Sequence, residues 1–171
     1  MAAQHSSTLL LKWAVVACAV LFAGLGVFLA PLHPSVVALQ FTYSPQAFAA
    51  VLQTWGPEGV ERFRQHLMVD GLLLLSYGVA GYLAAGRTRL FASLSHHVPL
   101  AFWALLLPLA AVFDAGENLL HWWLTGAEVL QGNVTLPSIT YLAAGVCASI
   151  KWLGLVSFAI GAFSAKAFFK A

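Results

Sequence analysis

Polar residues along the chain gather in a few places and leave four apolar stretches, residues 11–31, 65–86, 98–125 and 137–164. Each is close to or beyond the roughly 20 residues needed to cross the hydrocarbon core of a bilayer. Lipid offers no partners for backbone amides, so such runs must be helices or barrel strands. Their hydrophobicity is continuous and does not alternate, which argues against strands. The pattern predicts an all-α fold, a four-helix transmembrane bundle forming one integral membrane domain over residues 1–171.

The polar segments between the spans carry their own signals. In TYSPQAFAAVLQTW, Ser44 reads as an N-cap and Pro45 as the first helical residue, and Phe48, Val51, Leu52 and Trp55 recur at helical spacing. An amphipathic interfacial helix is expected over residues 44–55, in the first outer loop and partly capping the bundle. GPEG then turns the chain, and EGVERFRQHL leads into the second span. Trp122 and Trp123 are expected as interfacial anchors. Pro108 removes one backbone hydrogen bond and predicts a bend that opens space beside Asp114. Ser157, Gly161 and Ala165 form a small-xxx-small stripe, expected to serve packing within the bundle. Lys12 and the apolar run behind it could suggest a signal peptide. The run is long enough to span and Ala30-Pro31 makes a poor cleavage site, so a first span is expected.

Composition agrees with the pattern: of 171 residues 61% are hydrophobic and only 8% charged. A soluble domain carries about a quarter charged residues. The net charge of +2 gives no nucleic-acid signature. Charge placement is more informative. Lys12, Arg87, Arg89, Lys166 and Lys170 fall on one side of the four spans, whereas Arg62 and Arg64 on the other are offset by Glu58 and Glu61, with Glu128 beyond. The positive-inside rule then predicts a multi-pass protein of the inner (plasma) membrane with both termini cytoplasmic. His96 and His97 lie in the positive loop as ordinary interfacial residues, and Asn133-Val134-Thr135 is a weak glycosylation match. Cys18 and Cys147 sit in apolar runs without metal or disulfide spacing and read as packing residues.

Candidate chemistry concentrates in FDAGENLLHWW. Asp114, Glu117, Asn118 and His121 stand at helical spacings of zero, three, four and seven and form one stripe. His66, Asp70, Tyr77 and Gly81 repeat the arrangement in the second span, and Lys151 adds a cation beside Trp152 in the fourth. Counted inward from the outer loops, Asp70 lies about five residues deep, Glu117 about eight, Asp114 about eleven and Lys151 about fourteen, so at 1.5 Å per residue the charges overlap in depth. A charge at the bilayer centre costs at least about 2.5 to 3.5 kcal/mol, and such groups turn inward and pair. Lys151 is therefore expected to bridge Asp114 with Glu117 or Asp70, with Asn118 and Tyr77 filling the remaining hydrogen-bond positions. Three acids against one lysine leave negative charge in a low dielectric, so the group is expected to retain a proton.

Other chemistry fits less well. His66, Asp70, Glu117 and His121 supply two nitrogens and two oxygens for a divalent metal. Lys151 would compete for the carboxylates, and the Glu-x-x-His spacing of di-iron bundles is absent. Two histidines on different helices could ligate a b-type haem, with Arg62 or Arg64 near its propionates, but the acids crowd that pocket. No serine elbow occurs and neither cysteine has a defensible base, so no catalytic nucleophile is assigned.

YSPQAF, GPEG before the second span, FDAGEN in the third and Lys151-Trp152 in the fourth together resemble an uncharacterised family of small bacterial four-helix integral membrane proteins with an FDxxEN-like motif in the third span. The resemblance covers nearly the whole chain. It implies that Asp70, Asp114, Glu117, Asn118 and Lys151 form the group's recurring constellation, whereas His66 and His121 lie outside it. It supplies no activity and no cofactor.

The expected function is a non-enzymatic accessory subunit or binding module, partnered with the lipid bilayer and other membrane helices, whose charged network orders the bundle and holds a proton or polar ligand. The competing expectation is a membrane-embedded enzyme or an ion-coupled or proton-coupled carrier that uses Asp70, Asp114 and Glu117 as proton or metal groups.

Overall fold

A computed structural model describes residues 2–168, with the side chains of residues 2–7 and 166–168 left aside. Lys170 falls outside the described residues, as does the side chain of Lys166. The chain is 82% helical with no strand among the described residues. In order it forms α1 (Ala2–Leu29), a short α2 (Val36–Gln40), the long α3 (Pro45–Arg87), a 3-10 turn (Ala92–Leu94), α4 (Leu100–Leu124), a short α5 (Ala127–Leu130) and α6 (Ser138–Phe168). Helices α1, α3, α4 and α6 are each long and apolar enough to cross a membrane. They pack chiefly in chain order, α1 on α3, α3 on α4 and α4 on α6.

The expected interfacial helix and second span share one element, broken at Gly56, whose φ of 65° and ψ of −179° belong to glycine's region of backbone space. Pro57 follows and restarts the helix at a position where its missing N–H costs nothing. Ser44 caps the start of α3 as expected, its hydroxyl accepting from the Ala47 amide at 3.2 Å. The segment 45–55 does not lie apart from the bundle. Phe48, Leu52 and Trp55 are buried with Leu32 and Leu39 from the preceding loop, Phe63 and Leu67 from the rest of α3, Leu124 from α4 and Ala144 from α6. This cap is the largest core of the molecule.

The segment before the cap makes short-range contacts, Ser35 capping α2 by accepting from the Ala38 amide, but the contacts that tie it to the bundle are distant in sequence. Ser149 gives its hydroxyl proton to the Gly145 carbonyl at 2.8 Å, so Tyr43 donates to the Ser149 oxygen, also at 2.8 Å. Gly145 permits this approach, since a Cβ there would lie 2.5 Å from the Tyr43 ring. Trp152 donates to Gln40 at 3.0 Å and Trp55 to the Pro34 carbonyl at 2.7 Å. Indole donors thus anchor the loop to both α3 and α6.

The arginines at this end act as helix clasps. Arg62 donates to the Phe28 carbonyl at 3.0 Å, at the end of α1, and lies 5.1 Å over the Phe28 ring. Arg64 donates at 3.0 Å to both the Trp122 carbonyl and Thr125 at the end of α4, with its guanidinium 4.1 Å from the Trp122 ring. Cations at helix C-termini meet orphan carbonyls and the negative end of the dipole. Trp122 thus belongs to a helix clasp, and both it and Trp123 are exposed.

At the opposite end Phe91 stacks on Trp103 with centroids 4.5 Å apart and planes 5° apart. Gly161 lies beneath the same indole, and Ala165 is buried there, so the small-residue stripe of α6 serves internal packing as expected. Pro108 departs from expectation. It lines a cavity of about 630 Å³ with Gly78, Ala111 and Leu10 that does not touch Asp114. Its lining comes from α1, α3 and α4, and a Cβ on Gly78 would meet the Ala111 side chain at 3.3 Å, so α3 and α4 approach closely beside Pro108.

Candidate functional site

The inward residues of helix α4 sort into layers. Trp103 belongs to the far core, Leu107, Ala110 and Ala111 to a thin middle core, and Leu124 to the cap core. Between the last two come Asp114, Glu117 and His121, with exposures of 4%, 0% and 1%. Helical spacing alone places them on the buried stripe. Lys151 of α6, 4% exposed, enters from the other side.

The lysine joins both acids. Its Nζ donates to Asp114 Oδ1 at 3.0 Å and stands 2.7 Å from Glu117 Oε2. The first contact is a hydrogen-bonded ion pair, while the second is an ion pair without hydrogen-bond alignment. Tyr77 of α3 donates to Asp114 Oδ2 at 2.9 Å. Both oxygens of Asp114 are thereby satisfied, by groups from two other helices. Asn118 donates to Asp70 Oδ2 at 2.7 Å, which ties α3 to α4 one turn nearer the cap. Lys151 thus takes Asp114 and Glu117, one of the two pairings the sequence left open, and Asn118 and Tyr77 fill the roles foreseen for them. Asp70 stays half-buried and outside the lysine's reach.

The histidines take places that ligand geometry would not give them. His66 donates from Nδ1 to the Phe63 carbonyl in its own turn, since a carbonyl can only accept. Phe63 packs against both imidazoles, 4.8 Å from His66 and 5.5 Å from His121 between centroids. The proposed set His66, Asp70, Glu117 and His121 does not converge: no three of His, Cys, Asp and Glu form a metal-ligating group among the described residues. Asn118 holds Asp70, Lys151 holds Glu117, and the ring of Phe63 separates the two histidines. Arg62 and Arg64, considered beside a haem, point instead to the ends of α1 and α4.

One relation within the stripe was visible in the sequence only as a spacing. His121 Nδ1 faces Glu117 Oε1 at 3.6 Å. Neither atom has a hydrogen-bond partner, and both are fully buried. The His121 ring stacks on Phe48 of the cap at 5.8 Å and 24°. Its carbonyl accepts from Thr125 at 2.7 Å, and Arg64 donates to that same threonine. The i, i+4 spacing was the available signal, but metal ligation was the wrong use of it. Cys18 and Cys147 remain free thiols.

Among the described residues, three of the cavities between the helices, of about 350 to 630 Å³, have no lining from Asp70, Asp114, Glu117 or Lys151. Of the group only Tyr77 borders one, with its ring beside Cys18 and Leu107. No family model, curated protein or solved structure matches the chain.

Proposed function

We propose that this is a non-enzymatic integral membrane protein, an accessory subunit or small binding module, whose buried ions set the register of its helices. The observation that carries this reading is the placement of Lys151 within 3.0 Å of Asp114 and 2.7 Å of Glu117, with all three sealed from solvent. A group that turned over substrate or carried ions would need an opening to it. Here the cap core closes one side and the middle core the other. Polar contacts of this kind can specify one arrangement among helices that hydrocarbon packing leaves nearly equivalent. Its partners would be the bilayer and other membrane helices. The positive-inside asymmetry supports a reading with the cap outside a plasma membrane and both termini in the cytoplasm.

The test is a neutral replacement of the whole group, Lys151→Met with Asp114→Asn and Glu117→Gln. The triple variant should fold and retain any stoichiometric assembly or lipid that the wild type keeps on gentle extraction. A variant that folds but loses that company would show the charges to be a working site. For orientation, an impermeant thiol reagent added to intact cells should label Gln53→Cys and leave Ser95→Cys untouched; the reverse pattern would invert the topology.

A further inference from the structure

Charge bookkeeping within the sealed group does not close. Asp114 and Glu117 face one lysine, and the charged or titratable side chains packed around them supply no second cation in contact. Among the described residues, those facing the group are His66, Asp70 and Tyr77 from α3 and Cys147 from α6. Arg64 is turned away to Trp122 and Thr125. An uncompensated charge with no water beside it costs several kcal/mol.

The hydrogen bonds say where the missing positive charge belongs. Asp114 accepts from Lys151 on one oxygen and from Tyr77 on the other, so both of its oxygens already have donors. Glu117 meets Lys151 through Oε2 only. Its Oε1 and His121 Nδ1 look at each other at 3.6 Å, just beyond hydrogen-bonding distance, each buried and each without a partner. With the imidazole hydrogen on Nε2, a carboxylate and a bare Nδ1 here would be two acceptors in opposition; with it on Nδ1 the two would match, but one negative charge would stay uncompensated. One added proton supplies a donor and cancels that charge.

We propose that Glu117 and His121 together hold one exchangeable proton, which makes the group of Asp114, Glu117, Lys151 and His121 electrically neutral. Written as a carboxylic acid donating to imidazole or as imidazolium donating to carboxylate, the balance is the same. The ligand of this site is thus a proton taken from water. The inference deepens the architectural reading, because neutrality is what permits the ions to be buried, yet the two can fail separately.

The test is a proton count in lipid nanodiscs at about pH 8, where exposed imidazoles are neutral and exposed carboxyls ionised. Infrared spectra of protein carrying carboxyl-13C glutamate, and nitrogen NMR of 15N-histidine, should between them show one proton per chain, as a protonated glutamate or as an imidazolium. Carboxyl-13C aspartate should show none. Glu117→Gln should abolish the signal. Ionised glutamates with only neutral imidazoles in the wild type would overturn the proposal, as would a signal that survives Glu117→Gln. Should that variant not fold, the three labels in the wild type still decide. A triple neutral variant that folds but loses the assembly or lipid kept by the wild type would defeat the architectural reading while leaving the proton count intact.

Discussion

Lys151→Met is expected to lower stability by about 3 to 5 kcal/mol, a large part of the 5 to 15 kcal/mol that holds a typical domain together. Methionine fills nearly the same volume, so the loss is not a cavity effect. It arises because Asp114, 4% exposed, is left as a buried anion with only Tyr77 to serve it, while Glu117, 0% exposed, loses the ammonium beside its Oε2. Thermal unfolding in detergent, or the fraction recovered as a monodisperse species, measures the change. Adding Asp114→Asn and Glu117→Gln should restore most of it, since the partners of the lost charge are then neutral as well. A single replacement that unfolds at the wild-type temperature would mean that the lysine contributes nothing to the fold.

The contrast between single and combined changes separates an ionic network from ordinary packing. Residues within one network show coupling energies of about 0.5 to 3 kcal/mol, whereas distant sites add. A buried pair can be worth little against a hydrophobic replacement of the same shape and still be costly to break halfway. Here the two carboxylates come from one helix and the lysine from another, with Tyr77 contributed by a third. The network therefore constrains α3, α4 and α6 relative to one another, and α1 has no part in it.

How far the sequence could foresee this depended on the distance over which each signal acts. The four long helices were legible because continuous apolar runs admit few other structures, and the α4 stripe because spacings of three and four are local. Ser44 and Pro45 announced the start of α3 for the same reason. Convergence of Lys151 on the stripe followed from energetics, since separate charges in lipid would each be too costly. What spacing could not decide was which acid the lysine would take, or whether His66 and Asp70 would join Glu117 and His121. The Phe63 ring settles the latter by lying against both imidazoles, and no periodicity in the sequence reveals it. The reach of Gln40 and Tyr43 across to α6 was equally hidden, being a contact between residues more than a hundred positions apart. Pro108 lines a cavity together with Gly78 and Ala111 and not beside Asp114, a placement that its position in the sequence does not reveal.

Phe63→Ala should cost about 3 to 5 kcal/mol, the range for removing a buried aromatic ring. The residue is fully buried at the meeting point of the cap and the ionic layer, with ring centroids 5.4 Å from Trp55, 4.8 Å from His66 and 5.5 Å from His121. Its removal leaves a void that these rigid rings cannot readily close, and dispersion contacts on every side are forfeited. Leucine in its place should recover part of the loss by refilling the volume without the aromatic edges. Thermal unfolding compares the three proteins. A second effect distinguishes this site from other core positions: the void borders His121, so backbone amides of residues 45–55 should exchange faster with solvent deuterium as the cap loosens, while those around Trp103 should not change. Uniform acceleration along the chain would mean that the cap is not an independently opening unit.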